Sequence, residues 1–379
     1  MSSAGEQRRG IRGRIALLSC FGALVALVVA DGAGATAPVG SNGKIAYSRP
    51  SAASSEIFVI NPDGTGTTNL TNTPTLNESE PSWSPDGMKV AFTRCASTFD
   101  CDVVVMNADG SGVTNLTNTG GAVAERRPAF SPDGLLIAYD RATGNVNGTS
   151  IWVMNRDGTN QHPLTSTALP DSDFTPDFSP DGNTITYSHC TGAPDHQCDI
   201  WSMNADGSGQ HGLTNTSAPN SELGGSFSPD GARIVFQVDT GNTGTDDLAI
   251  MNADGSGRRP LTQTAAGERR PVFSGDGLRL AFSFTDAVTN DIYTSDANAQ
   301  GQTNLTQTPS STDRENTPDW EDVQTCGGKR ATIVGDDGPD RLLGTKKGNV
   351  VDANAASGGK NVVKGKGGND LICVGPGKA

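Results

Sequence analysis

Two short runs bring acids and paired guanidiniums together along this chain: Glu125-Arg126-Arg127-Pro128 and Glu268-Arg269-Arg270-Pro271. Paired arginines suit a carboxylate or phosphate guest, because each planar fork can donate to two anionic oxygens at once. Corresponding stretches hold Glu78-Ser79-Glu80, Asp173-Phe174-Thr175, Glu222-Leu223-Gly224 and Arg314-Glu315-Asn316. The plainer account is that these charges pair with one another in solvent. A hydrolase or lyase would draw on the same acids. Against that reading, the 4 histidines (His162, His189, His196, His211) are scattered, and no Gly-x-Ser-x-Gly nucleophile turn occurs.

A repeat positions these runs. Trp83-Ser84-Pro85-Asp86-Gly87 recurs with Phe130, Phe178 and Phe227 in the aromatic place. Phe273-Ser274-Gly275-Asp276-Gly277 is a variant, and Trp320-Glu321-Asp322 ends the series, with the aromatics about 47 residues apart. A second marker interleaves: Asn61-Pro62-Asp63-Gly64 and its counterparts beginning at Asn107, Asn155, Asn204 and Asn252, with a degenerate copy from Asp296. Leu-Thr follows each, as at Leu70-Thr71 and Leu305-Thr306. Between markers lie short β-branched and aromatic runs such as Lys89-Val90-Ala91-Phe92 and Ile151-Trp152-Val153-Met154, which read as strands. Four short strands per unit, at a period in the forties, is the pattern of a propeller blade.

The Ser-Pro-Asp-Gly turn, the strand after it, and the later Met-Asn-x-Asp-Gly-Ser-Gly and Leu-Thr resemble the TolB-type (WD-like) propeller repeat, from about Asn42 to Asp322. The resemblance implies that family's fold and a tendency toward protein-binding roles, without naming a ligand. Gly43-Lys44-Ile45-Ala46-Tyr47-Ser48 matches a second strand with no first, and Thr317-Pro318-Asp319-Trp320 a first strand with no second. The C-terminal strand is therefore expected to complete the N-terminal blade, giving six blades in a closed ring without bare edges.

In each marker the residues suit a turn: proline presets φ, aspartate bonds backbone amides and glycine accepts positive φ. The Asp-Gly-Ser-Gly segments lack the acid that closes a calcium loop. These two regular turns share one face of the ring. Variable loops share the other, where binding usually resides. Glu80, Glu125, Arg126, Arg127, Asp173, Glu222, Glu268, Arg269, Arg270 and Arg314 are expected to rim the channel mouth there.

The chain has 7 cysteines. Cys95/Cys101 and Cys190/Cys198 fall in the same loop of two different blades, each expected to staple a hairpin for about 2.5 kcal/mol. Cys326 and Cys373 bracket the C-terminal stretch as a third pair, and Cys20 lies in an N-terminal segment read as a signal peptide. That segment (1–35) has Arg8, Arg9, Arg12 and Arg14, an apolar run from Ile15 to Ala30, and Ala33-Gly34-Ala35 as a cleavage site. The run is too short for a membrane span.

Residues 36–325 carry 15 Lys and Arg against 35 Asp and Glu, whereas 326–379 carry 9 against 5. An acidic body argues against nucleic acid as a partner. The C-terminal stretch resembles a worn haemolysin-type calcium repeat, through Gly335-Asp336-Asp337-Gly338-Pro339-Asp340-Arg341-Leu342 and Gly365-Lys366-Gly367-Gly368-Asn369-Asp370-Leu371-Ile372. In that family calcium lies between turns two repeats apart, which pairs Asp340 with Asn361 and Asn349 with Asp370. Each pair keeps one aspartate, and nearby lysines oppose a cation.

The sequence thus describes an all-β protein: signal peptide, six-bladed propeller (36–325) and a small β-roll-like module (326–379). Its expected role is a secreted, monomeric binding or scaffold protein for a protein or small anionic ligand. No cofactor is required, and calcium is the one the C-terminal repeats would take.

Overall fold

The computed structural model describes residues 41–323 apart from the short stretches 51–53, 98, 122, 144–147, 193–196, 218–219, 242–244, 287–288 and 308–314. Beyond them it describes the backbone of short strands as far as Leu371–Cys373. The N-terminal stretch read as a signal peptide, Arg314, and the calcium candidates Asp340, Asn349, Asn361 and Asp370 lie outside the described residues, as do the side chains of Cys326 and Cys373.

Each blade is four antiparallel strands, the last a two-residue edge. Blade 2 runs Asn77–Trp83, Lys89–Ser97, Asp100–Asn107 and Thr114–Asn115. Blades 3 to 6 begin with Val123–Phe130, Ser172–Phe178, Ser221–Phe227 and Gly267–Phe273. Blade 1 is composite: the C-terminal Asn316–Val323 pairs antiparallel with Ser41–Pro50, setting Trp320 opposite Ile45. Ser41–Pro50 then pairs with Ser55–Ile60.

The turn residues act as their types require. Ser84 donates its hydroxyl to Asp86 at 2.6 Å, and the Met88 amide donates to the same carboxylate at 2.9 Å. In the second marker the Asn107 amide group donates to the Ser111 hydroxyl at 2.9 Å. The glycine between them also sets blade spacing. Gly110 has φ 86° and lies against the preceding blade, where an added Cβ would meet the Leu70 carbonyl oxygen at 2.4 Å. This contact links the Asp-Gly marker of one blade to the Leu-Thr marker of its neighbour.

Apolar side chains pack between blades, one cluster per neighbouring pair. Ile57, Val59, Trp83 and Phe92 join blades 1 and 2. Ile45, Tyr47 and Trp320 meet Ala281, Ile292 and Leu305 across the closing interface of blades 6 and 1. Six such clusters complete the circle.

Disulfides join Cys95 to Cys101 and Cys190 to Cys198, each with Cα atoms 4.0 Å apart. After the propeller, short strands pair in parallel: Ile333–Val334 with Val350–Asp352, that strand with Leu371–Cys373, and Arg341–Leu343 with Val362–Lys364. Parallel pairing at this spacing is the backbone pattern of a β-roll.

Candidate functional site

The first strand of every blade reaches a central cavity of about 560 Å³. A shared irregularity shapes its wall. Each first strand breaks register and places one residue in the left-handed region: Glu80 (φ 57°), Arg127 (53°), Thr175 (54°), Gly224 (63°), Arg270 (51°) and Thr317 (53°). Five of these six are not glycine, and such a conformation costs about 1 kcal/mol or more per residue.

Contacts between blades hold the bulges. The Arg127 amide donates to Thr93 Oγ1 at 3.0 Å, the Gly224 amide to Ser188 Oγ at 3.0 Å and the Glu80 amide to Thr317 Oγ1 at 3.2 Å. The Thr175 amide uses Asp140 in the same way, at 3.4 Å. The acceptors Thr93, Asp140 and Ser188 occupy one column of the second strands, so the neighbouring blade fixes the bulge residue in four of the six blades.

Charge in the cavity is unevenly satisfied. Arg127 Nη1 donates to both Asp140 carboxylate oxygens at 3.2 Å, and its Nε lies 3.2 Å from Glu80 Oε1. Thr93 donates to the other Glu80 oxygen at 2.8 Å. Burial works against the Glu80 carboxylate, but Arg127 and Arg270 outweigh it and hold its pKa below the usual range. Arg269 is paired with Asp246. Arg270 is different: it lines the cavity, yet its guanidinium has no hydrogen bond or ion pair within 4 Å among the described residues. Burial lowers its pKa, with Arg127 adding repulsion against the attraction of Glu80 and Asp140.

Below this tier Asp177 and Asp319 stand on opposite blades. Asp177 accepts the Phe227 amide at 3.1 Å, and Asp319 accepts the Trp83 amide at 2.6 Å. Burial pushes both up to about 7, and the charge of Asp177 adds to the rise at Asp319. Among the described residues no group of three or more His, Cys, Asp or Glu is placed to hold a metal.

The sequence model of the TolB beta propeller domain matches residues 26–222 and 151–325. The chain belongs to the TolB β-propeller family. Among solved structures, TolB from Acinetobacter baumannii shares the fold at a TM-score of 0.60 and 18% identity, over 73% of this chain and 66% of that one. The chain therefore spans just under two thirds of that relative. A putative TolB from Agrobacterium tumefaciens aligns at 0.55 and 22%, over 69% of this chain and 88% of its own. Hydrazine synthase of Kuenenia stuttgartiensis aligns at 0.61 and 16%, over 82% and 54%. No curated protein sequence matches.

Within this TolB-family propeller the expected mouth residues divide into two groups. Glu80, Arg127, Arg269 and Arg270 converge on the cavity. Glu125, Asp173, Glu222 and Glu268 do not; they are buried inside their blades, a correction to the expected rim. They form one column with Glu78 and Glu315. Four of the six face a base across the strand pair: Glu78 with Arg94 at 2.8 Å, Glu125 with Arg141 at 3.3 Å, Asp173 with His189 at 2.6 Å, and Glu315 with Arg49. In blades 5 and 6 the opposite residues are Val238 and Phe284. Glu222 instead meets Arg258, while Glu268 relies on the Thr264 hydroxyl at 2.8 Å. Arg126 does not line the cavity and donates to Cys101 Sγ at 3.3 Å.

Sequence reasoning missed Asp140 and the column of bases. Both were signalled by the second strands, where Tyr139-Asp140-Arg141 aligns with Phe92-Thr93-Arg94 and Tyr187-Ser188-His189.

Proposed function

We propose that this protein is an exported, non-catalytic binding protein that receives an anionic group of a protein or small-molecule partner at the channel mouth of its propeller. The observation that carries this reading is Arg270: a guanidinium facing a cavity with no hydrogen-bond or ion-pair partner among the described residues. A guanidinium held partly out of water with no hydrogen-bond or ion-pair contact is costly. A guest anion removes that cost, and the cavity volume falls in the range usual for small-ligand sites. The family fold suits a scaffold role, and the two disulfides suit an oxidising compartment outside the cytosol. The C-terminal module acts as a cap, with Asp340, Asn349, Asn361 and Asp370 as its calcium candidates.

A hydrolase or lyase reading has less support. Four of the acids it drew on, Glu125, Asp173, Glu222 and Glu268, lie inside the blades, and of those that line the cavity Glu80 and Asp246 are held by Arg127 and Arg269.

Thermal unfolding of the mature protein against a panel of carboxylates, phosphates and sulfates tests the proposal, beside an Arg270→Gln variant. Wild type is expected to gain several degrees in Tm from at least one anion, and the variant to lose that gain. If no anion separates the two proteins, the reading fails.

A further inference from the structure

The inference here rests on the anion-binding reading and narrows it. Among the side chains lining the cavity, Glu80, Asp239 and Asp246 stand against Arg127, Arg269 and Arg270. Arg127 is shared between Glu80 and Asp140, and Arg269 is taken by Asp246. Asp239 accepts the Gly241 amide at 2.8 Å. Among the described residues one lining cation, Arg270, remains for a guest, and its surroundings are acidic. A second negative charge on the guest would face Glu80, which Arg127, Arg270 and Arg126 keep ionised. The inventory leaves room for a monoanion and opposes a dianion.

The rest of the cavity wall specifies the rest of the guest. Blades 4 and 5 contribute Phe174 and Leu223, with Gly224 in the ring position where the other blades carry a side chain. A Cβ built on Gly224 would meet nothing within 4 Å, so space opens along this apolar side. Arg127 lies 5.3 Å from the Phe174 ring centroid and braces that ring. On the other flank of Arg270, blade 1 offers the uncharged polar Asn316 and Thr317. A planar carboxylate fits the guanidinium fork, and an apolar group attached to it fits Phe174 and Leu223.

We infer that the channel mouth selects a monocarboxylate bearing an apolar group, with the carboxylate on Arg270 and the apolar body against Phe174 and Leu223. Such a group occurs on a free organic acid and at the C-terminus of a peptide ending in an apolar residue.

Isothermal titration of the full mature chain tests this with five probes: isovalerate, N-acetyl-leucine, N-acetyl-leucinamide, acetyl-Gly-Ala-Ala-Leu with a free carboxylate, and inorganic phosphate. N-acetyl-leucine is expected to bind at least tenfold tighter than its amide and tenfold tighter than phosphate. Arg270→Gln should remove the preference over the amide, and Leu223→Ser should weaken N-acetyl-leucine several-fold while leaving the far-UV spectrum and Tm close to wild type. If the peptide binds tighter than isovalerate, the source is a chain terminus; the reverse order assigns a free acid. Phosphate binding more tightly than N-acetyl-leucine, through Arg270, overturns this inference and leaves the broader anion reading standing. Binding by none of the charged probes overturns both.

Discussion

Arg127 closes one guanidinium nitrogen on both carboxylate oxygens of Asp140, at 3.2 Å each, and so ties the first strand of blade 3 to its second strand. The corresponding column elsewhere carries hydroxyls such as Thr93 and Ser188, which need no counter-charge. Asp140 is buried, and desolvation raises its pKa against the pull of Arg127. Removing one member of such a pair leaves the other uncompensated.

Asp140→Asn should therefore destabilise the propeller by about 2 kcal/mol, less than a fully isolated pair would lose, because Glu80 still faces Arg127. Urea unfolding of Asp140→Asn, Arg127→Met and the double variant checks this. A coupling energy of about 1 kcal/mol or more is expected, and simple additivity would contradict the pairing.

Glu268 gives a pH signature. Burial, with Asp247 adding to it, pushes its pKa from the ordinary 4.5 up to about 7, against the hydrogen bond from Thr264. The folded chain then holds a proton that the unfolded chain has released between those two values. Its contribution to stability is complete at low pH and fades as pH rises through that window. Glu268→Gln should raise the urea midpoint at pH 8 and change it little near pH 4. Glu78→Gln, in the same column but paired with Arg94, should lower the midpoint at pH 8.

Two glycines separate steric closeness from backbone strain. Gly110 and Gly121 both have positive φ, but a Cβ at Gly121 meets nothing within 4 Å. Gly121→Ala should cost about 1 kcal/mol from its backbone alone. Gly110→Ala adds a clash with the Leu70 carbonyl and should cost at least twice as much. Thermal unfolding of the two variants checks the order.

Ring closure depends on Trp320, which is buried against blade 6 and donates its indole N–H to the Gly43 carbonyl at 3.2 Å. Trp320→Ala should cost about 3–4 kcal/mol, as large aromatic truncations in cores do. Size-exclusion chromatography should also show association, because a loosened closing strand exposes an edge. A monodisperse variant of near-native Tm would argue against the closure.

The blades and both propeller disulfides were legible because their signals are local and periodic. A turn such as Ser84-Pro85-Asp86-Gly87 declares itself wherever it falls, and cysteines in the same loop of two blades suggest their own pairing. The site was only half legible. Glu125 and Arg127 stand two residues apart and look equivalent as charges, yet one is sealed inside the blade and the other faces the cavity. What separates them is the bulge at Arg127, whose φ of 53° no residue type there announces. A strand without it would have kept its alternation of faces. Asp140 was hidden differently: nothing in its own strand, Leu136–Thr143, marks it, and its partner comes from another strand.

The union of Ser41–Pro50 with Asn316–Val323 also sets a schedule. Synthesis runs from the N-terminus, so the strand that finishes the first blade is the last of the propeller's strands to be made. A product cut short before Asn316 retains five complete blades and one bare backbone edge. That edge is open to proteases and to other unfinished chains. The last eight residues of the propeller thus serve as a certificate of a complete ring, which only a chain translated through Val323 can present.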